Sequence, residues 1–387
     1  MATSHNNTQH SPAQRLLVVM PNWLGDCVMA TPALRALRRL YPDAHITALM
    51  RRNLRAILDA CPYIDRVVTV RARSTKGKVQ RKATGFVRLS RRLASAKFDT
   101  AVLLPNSFRH ALLVRLAGIK RRVGYDRDGR GTLLTDRLVP RRAGGQYVPV
   151  SARDYYLGIA RYLGAVNPDP AMELFTRQRD DESVRAMLTE QGWDPSVDPA
   201  TGRPRRPFIV VNPGAAFGET KLWSPQRFAE IADRCADQYN ALVAINGGPG
   251  ERPIIDRMLA AAKHKHLNLA AIHMPIGPLK SVIRSANLMI SNDTGPRHIA
   301  CAFGVPGVCL FGPIDPAWSD TGFERERQIA IDVYCRPCNK KRCPLRDTPE
   351  DHQCMKLIDV EMVWRHVEEL YEDVCRRARG VKEGSLN

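Results

Sequence analysis

What the chain lacks narrows its class first. No stretch approaches the roughly 18 consecutive apolar residues of a membrane-spanning helix. The opening "MATSHNNTQHSPAQ" has neither the charged head nor the apolar core of a secretory leader, so a cytoplasmic protein is expected. No Walker loop and no G-x-G-x-x-G occurs, which sets aside an ATPase or an ordinary dinucleotide enzyme. Acids are in short supply: 39 Asp and Glu face 59 Lys and Arg, a formal charge of +20. That field favours anionic partners such as phosphorylated sugars, acidic lipid or nucleic acid. A helix-turn-helix signature and an RNA-recognition aromatic motif are also missing, so nucleic acid is not the partner expected. Ten cysteines in 387 residues are too thin for a small disulfide framework, and Cys27, Cys301 and Cys309 fall in apolar patterns as buried thiols.

What is present is a rhythm. From Leu16, short β-like runs alternate with helix-length segments: "LLVVMP", "MATPALRALRRLY", "HITALM", "NLRAILDAC", "RVVTV", then "FDTAVLLP" and "SFRHALLVRLAG". Such alternation builds a parallel sheet covered by helices. A second series opens at Phe208 with "FIVVNPG" and closes with "GVCLFG". Two α/β domains are therefore expected, residues 15–192 and 208–387, behind a disordered tail of residues 1–14. Between them "WDPSVDPATGRPRRP" (193–207) reads as a linker, because its prolines can continue neither a helix nor a central strand. The closing "DVEMVWRHVEELYEDVCRRA" must bury an apolar stripe on one of the two domains. Residues 71–97 carry ten bases and no acid. They read either as a solvated arm or as a basic helix, with Phe86, Leu89 and Leu93 along one side, that docks on acidic lipid.

Ligands of open α/β sheets bind where strands run into helices, and three such junctions are unusually polar. In "LLVVMPNWLGDCVMATPAL", Gly25 allows a tight turn after the strand and Asp26 starts the next helix, either as its cap or in a functional role. In "VVNPGAAFGETKLWSPQRFAEIA", small residues around Gly214 let the backbone approach an anion that Lys221 could neutralise. In "SNDTGPRHIACAFG", Asp293, Thr294 and Gly295 precede a helix with His298 on its first turn, a phosphate site or merely a capped helix start. Glu251, after "NGGPG", could accept both hydroxyls of a ribose. A sugar-nucleotide donor on one side of a cleft and an acceptor on the other fit these junctions, and a glycosyl transfer fits the whole.

The motifs "PNWLGDCVMATPALRALRR", "LLPNSFRHALLVRLAGIKRRVGY", "NPGAAFGETKLWSPQRFAEIA", "GGPGE" and "SNDTGPRHIACAFGVPGVCLFGP" closely resemble the ADP-heptose:lipopolysaccharide heptosyltransferases (glycosyltransferase family 9), nearest the heptosyltransferase II branch. They follow the family order over residues 15–375. The resemblance implies a GT-B fold, two facing Rossmann-like domains with an interdomain cleft. It implies an inverting, metal-independent transfer of heptose from ADP-L-glycero-D-manno-heptose onto the heptose of a Kdo–lipid A acceptor, at the inner face of the cytoplasmic membrane. Transfer to another acceptor, as by heptosyltransferase I or onto another surface glycan, stays open. By motif, Asp26 is the catalytic base and Lys221 the catalytic partner of the leaving diphosphate. Gly214, Lys221, Glu251, Asp293, Thr294, Gly295 and His298 are the donor-binding set, and Asn22, Trp23, Asn106 and Ser107 contact the acceptor. The family's C-x2-C-x4-C-x10-C cluster, Cys335, Cys338, Cys343 and Cys354, reads either as a structural zinc site or as reduced thiols; no metal is expected in the reaction.

Overall fold

The computed structural model describes residues 13–70, 79–198, 201 and 203–379, and of residues 79–84 the backbone alone. The expected tail therefore lies almost wholly outside the described residues, as do residues 71–78 of the basic segment. Two six-stranded sheets repeat one topology. In the first, Arg15–Val19, His45–Arg51, Arg66–Val70, Thr100–Leu103, Arg121–Tyr125 and Asp136–Leu138 are ordered 3-2-1-4-5-6. In the second, Phe208–Asn212, Leu242–Ile245, Leu267–Asn268, Leu288–Asn292, Gly307–Phe311 and Glu326–Ala330 take the same order. Every neighbouring pair is parallel. Strands buried on both faces need no polar alternation, which is why "LLVV", "FIVV" and "GVCLF" read as continuous apolar runs.

This strand order places a topological switch between the first and fourth strands of each sheet, and the crevice beyond it is where ligands bind. In the first sheet that crevice lies beyond Val19 and Leu103; in the second, beyond Asn212 and Asn292. The two crevices meet. Helix Leu24–Met29, after the first strand of the first sheet, packs on helix Gly295–Ala302, after the fourth strand of the second. One apolar cluster runs from Leu16 and Val28 through Trp193 to Phe208, Val282 and Ile299, so the halves share a core. No described helix is long and apolar enough to cross a membrane.

Several local outcomes refine the sequence expectations. Residues 193–207 include a short antiparallel ribbon, Asp194–Val197 with Pro204–Arg206, which tolerates Pro204 because it is not a central strand. Helix Gln178–Glu190 packs on helix Ile276–Arg284 of the second sheet, with Arg284 bonded to Thr176 and Asp181. "NLRAILDAC" closes into a tight 3-10 helix, Arg52–Leu58, ended at Asp59 and at Ala60 with φ of 61°. The terminal helix Val360–Ala378 stays on the second sheet, stacking Trp364 and Tyr371 on Tyr239. The basic helix spans Val79–Ser95, and its apolar side is consumed by the fold: Leu93 is buried, and Phe86 and Leu89 pack against the first sheet's core. That face is not free to enter a lipid layer, whereas Arg88, Arg91 and Arg92 on the other face are exposed.

Candidate active site

The Asn-Pro-Gly turn after Phe208–Asn212 is held by asparagines that close three adjacent strand ends. Asn246 Nδ2 donates to Asn212 Oδ1 at 2.6 Å, and Asn292 Nδ2 donates to the Pro213 carbonyl at 2.7 Å. All three are buried. The repeated strand-end asparagine of "VVN", "AIN" and "ISN" was the sequence signal for this brace. A Cβ on Gly214 would overlap the Glu251 carboxyl group, so a larger residue there would displace that side chain. Glu251 accepts the Gly248 N–H at 2.7 Å, and burial raises its pKa although that bond opposes the rise. Gly214 and the Glu251 carboxyl group thus lie against each other at neighbouring strand ends.

Lys221, only 12% exposed in its side chain, reaches the next strand end. Its ammonium donates to the Asp293 carbonyl at 3.2 Å and to the Asp293 carboxylate. An ammonium has three N–H donors, so one is left for a ligand. Burial alone would raise the Asp293 pKa, but the Arg297 guanidinium and then the Lys221 ammonium more than offset it, bringing it to about 2. Asp293 is not the helix cap, because that position falls to the residue after it. Thr294 takes the N-cap position of helix Gly295–Ala302 with no side-chain capping bond. His298 is 4% exposed with Nδ1 unpartnered, and burial followed by the Arg297 charge lowers its pKa to about 3. The imidazole is therefore neutral, and its Nδ1 is buried without a hydrogen-bond partner, which few buried polar atoms are.

Across the cleft stands Asp26. It lies inside the first turn of helix Leu24–Met29, whose N-cap Trp23 makes no side-chain bond, so the capping alternative for Asp26 also fails. The contact is tight: a Cβ on Gly25 would lie 2.5 Å from the His298 ring, and one on Gly295 would lie 2.5 Å from Leu24. Asp26 is half-buried. Burial, then the Asp293 charge, raise its pKa to about 6, with Lys221 pulling the other way. The base candidate and the Lys221–Asp293 pair thus act on each other directly.

Asp26 opens into a hollow of about 390 Å³ that Asn22, Trp23, Asn106 and Ser107 also line, so all four acceptor candidates share one wall system with it. Trp23 is 58% exposed at the mouth, and Asn22 Oδ1 accepts from Arg51 Nε at 2.9 Å. Asn106 Oδ1 accepts from Tyr155 Oη at 3.0 Å and from the wholly buried Arg130 at 3.2 Å. The sequence reading missed Arg127, Arg130, Tyr155 and Trp318. Trp318 comes from the second half and closes the hollow from across the cleft.

The cysteine-rich loop braces the Lys221 loop. Thr220 Oγ1 donates to the Lys340 carbonyl at 2.6 Å, and a Cβ on Gly218 would lie 2.8 Å from the Lys341 carbonyl. Cys335, Cys338, Cys343 and Cys354 are free thiols. Among the described residues no three His, Cys, Asp or Glu side chains are placed to hold a metal ion, so the zinc reading has no geometric support here.

Two facing parallel sheets with a polar cleft at their switch points are the GT-B architecture. The family description "Glycosyltransferase family 9 (heptosyltransferase)" matches residues 86–348. The chain belongs to that family. It is 27% identical over 323 residues to lipopolysaccharide heptosyltransferase 2 of Escherichia coli, covering 82% of this chain and 88% of that protein. It is 26% identical over 346 residues to lipopolysaccharide heptosyltransferase 1 of Pseudomonas aeruginosa, covering 89% and 91%. The solved structure of E. coli ADP-heptose lipopolysaccharide heptosyltransferase II superposes with a TM-score of 0.73 at 23% identity, covering 93% of this chain and 99% of that one.

Proposed function

We propose that the protein is an inverting, metal-independent heptosyltransferase that moves heptose from ADP-heptose onto the heptose of a Kdo–lipid A inner core. The observation that carries this reading is Asp26 with its pKa near 6, opening into a hollow of about 390 Å³ and coupled to the Lys221–Asp293 pair of the other half. An acceptor hydroxyl in that hollow becomes a competent nucleophile as Asp26 takes its proton. Attack on the anomeric carbon from the side opposite ADP breaks the bond to the leaving phosphate and inverts that centre. Charge then gathers on ADP, where the third N–H of Lys221 and the helix start at Thr294 and Gly295 would stabilise it, supplying the positive charge from the chain itself. Glu251 would take the ribose hydroxyls. Asn22, Trp23, Asn106 and Ser107 would orient the acceptor, and the donor sugar would lie against His298.

Relatives carry both heptosyltransferase 1 and 2 names, and the acceptor separates the two. Purified protein is incubated with ADP-heptose and either Kdo–lipid A or its monoheptosylated form, and products are read by mass. A gain of one heptose on the monoheptosylated acceptor alone is expected, undiminished by EDTA. Transfer only to Kdo–lipid A would make it a first heptosyltransferase, and transfer to neither would discard the reading. The working site is expected at the cytoplasmic face of the inner membrane, approached peripherally.

A further inference from the structure

Arg297, one residue before His298, is 2% exposed, and its guanidinium is wholly enclosed. Nη1 donates to Asp293 Oδ1 at 2.8 Å and to Ser319 Oγ at 3.2 Å. Nη2 donates to the Ser319 carbonyl at 3.0 Å and to Glu326 Oε2 at 2.9 Å, and Nε donates to Glu326 Oε1 at 2.6 Å. All five donors of the planar fork are used, and the Phe311 ring lies 4.8 Å from Cζ. Glu326, equally buried, accepts in turn from Thr321 Oγ1 at 2.8 Å and Gln328 Nε2 at 3.0 Å.

The Asp293 carboxylate is divided between two cations, Oδ1 to Arg297 and Oδ2 to Lys221, with Ser319 Oγ, itself bonded to Arg297, also donating to Oδ1 at 3.2 Å. The result is a row of alternating charge, Glu326, Arg297, Asp293 and Lys221, that begins in the core and ends at the cleft. Buried ion pairs are weak contributors to stability when set against apolar side chains of the same volume. Removing several charges from water to fix one carboxylate therefore points to a role in the site. A free carboxylate turns about its own axis, and an ammonium follows it. With Oδ1 gripped by the fork, Oδ2 has one direction left.

We propose that Arg297, anchored by Glu326, is a positioning residue that fixes the Asp293 carboxylate so that Lys221 is held toward the diphosphate of a nucleotide-sugar donor. The inference rests on the assignment of Lys221 and Asp293 to the donor site. It touches no reacting atom itself. A lysine in its place offers a point charge without the fork and cannot grip both oxygens of Glu326 while also holding Asp293 Oδ1.

The test is calorimetric titration of the full-length protein with ADP, in wild type, Lys221→Met, Arg297→Met/Glu326→Gln and Arg297→Lys. The double substitution removes both buried charges together, so no orphan charge is left to unfold the domain. Expected results are a loss of about tenfold or more in ADP affinity for Lys221→Met, about tenfold for Arg297→Met/Glu326→Gln and about threefold for Arg297→Lys. Adding Lys221→Met to the double variant is expected to cost nothing further, since both changes remove one interaction; a merely structural role would make the losses add. A folded double variant within twofold of wild type overturns the inference. Should that variant fail to show a cooperative melt, wild-type affinity in Arg297→Lys overturns it instead. If Lys221→Met binds ADP normally, or wild type does not bind ADP, the donor-site assignment falls and this inference with it. Loss in Lys221→Met with full retention in the Arg297 variants sinks this inference alone.

Discussion

Asp26 is held where its charge is unwelcome, and that sets both its usefulness and its cost. A carboxyl group with pKa about 6 is ionised at neutral pH yet still basic enough to receive a proton, the compromise a general base needs. Turnover is therefore expected to rise with pH through about 6 and to fall tenfold per unit well below it. The same shift has a stability sign. Because the folded pKa lies above the unfolded value of 3.8, the native state holds the proton more tightly than the unfolded chain. The resulting stabilisation is complete below about pH 4 and is lost as pH climbs through 6. At neutral pH the ionised side chain costs on the order of 2–3 kcal/mol relative to a neutral one. Asp26→Asn should thus abolish transfer, keep ADP binding, and melt higher than wild type at pH 7.5 but nearly equal to it at pH 4. Scanning calorimetry at the two pH values checks this, and a lower melting temperature at pH 7.5 would make Asp26 a structural residue.

Two helices, Leu24–Met29 and Gly295–Ala302, bring the halves of the site together, and glycine at the crossing sets how close they come. No room exists for a methyl group on Gly25, because the buried His298 ring it would meet cannot swing away. Gly25→Ala is expected to push the helices apart, move Asp26 from the Lys221–Asp293 pair, and lower kcat by ~10-fold or more, with an overpacking cost of about 1–3 kcal/mol. Gly85→Ala, where nothing lies within 4 Å, is the control and should not lower either quantity. Steady-state kinetics beside thermal melts separates the two; wild-type kcat in Gly25→Ala would mean the spacing does not matter. The elements that carry the candidate residues were legible because each motif is a few residues long and follows a strand end, so Asp26, Lys221, Glu251 and Asp293 stand out locally as candidates. Their supports were not. Arg297 meets Glu326 across 29 positions and Arg130 meets Asn106 across 24, and no periodicity or turn chemistry announces such a meeting. The 3-10 turn at Arg52–Leu58 escaped for a different reason, since its buried Leu54, Ile57 and Leu58 suit either helix type.

At the scale of the molecule, the two-sheet plan follows from repetition of the βα rhythm, while the placing of the charge follows from packing that the pattern alone does not reveal. The basic helix Val79–Ser95 spends Phe86, Leu89 and Leu93 on the core and turns Arg88, Arg91 and Arg92 outward. A surface of that kind attracts an anionic membrane without inserting into it. Each exposed arginine near such a surface is worth about 1 kcal/mol, and the attraction fades within a Debye length of ~10 Å at 0.1 M salt. An inserting helix would instead bury apolar area, which salt does not weaken. The protein, with formal charge +20, is therefore expected to sediment with vesicles containing acidic phospholipid at low salt, to be released by about 0.5 M NaCl, and to ignore neutral vesicles. Arg88→Gln/Arg91→Gln/Arg92→Gln should weaken that association several-fold while leaving the melting temperature within about a degree, because none of the three is buried. Salt-resistant binding would show that an apolar surface carries the contact, and unchanged binding in the triple variant would move it to another basic face.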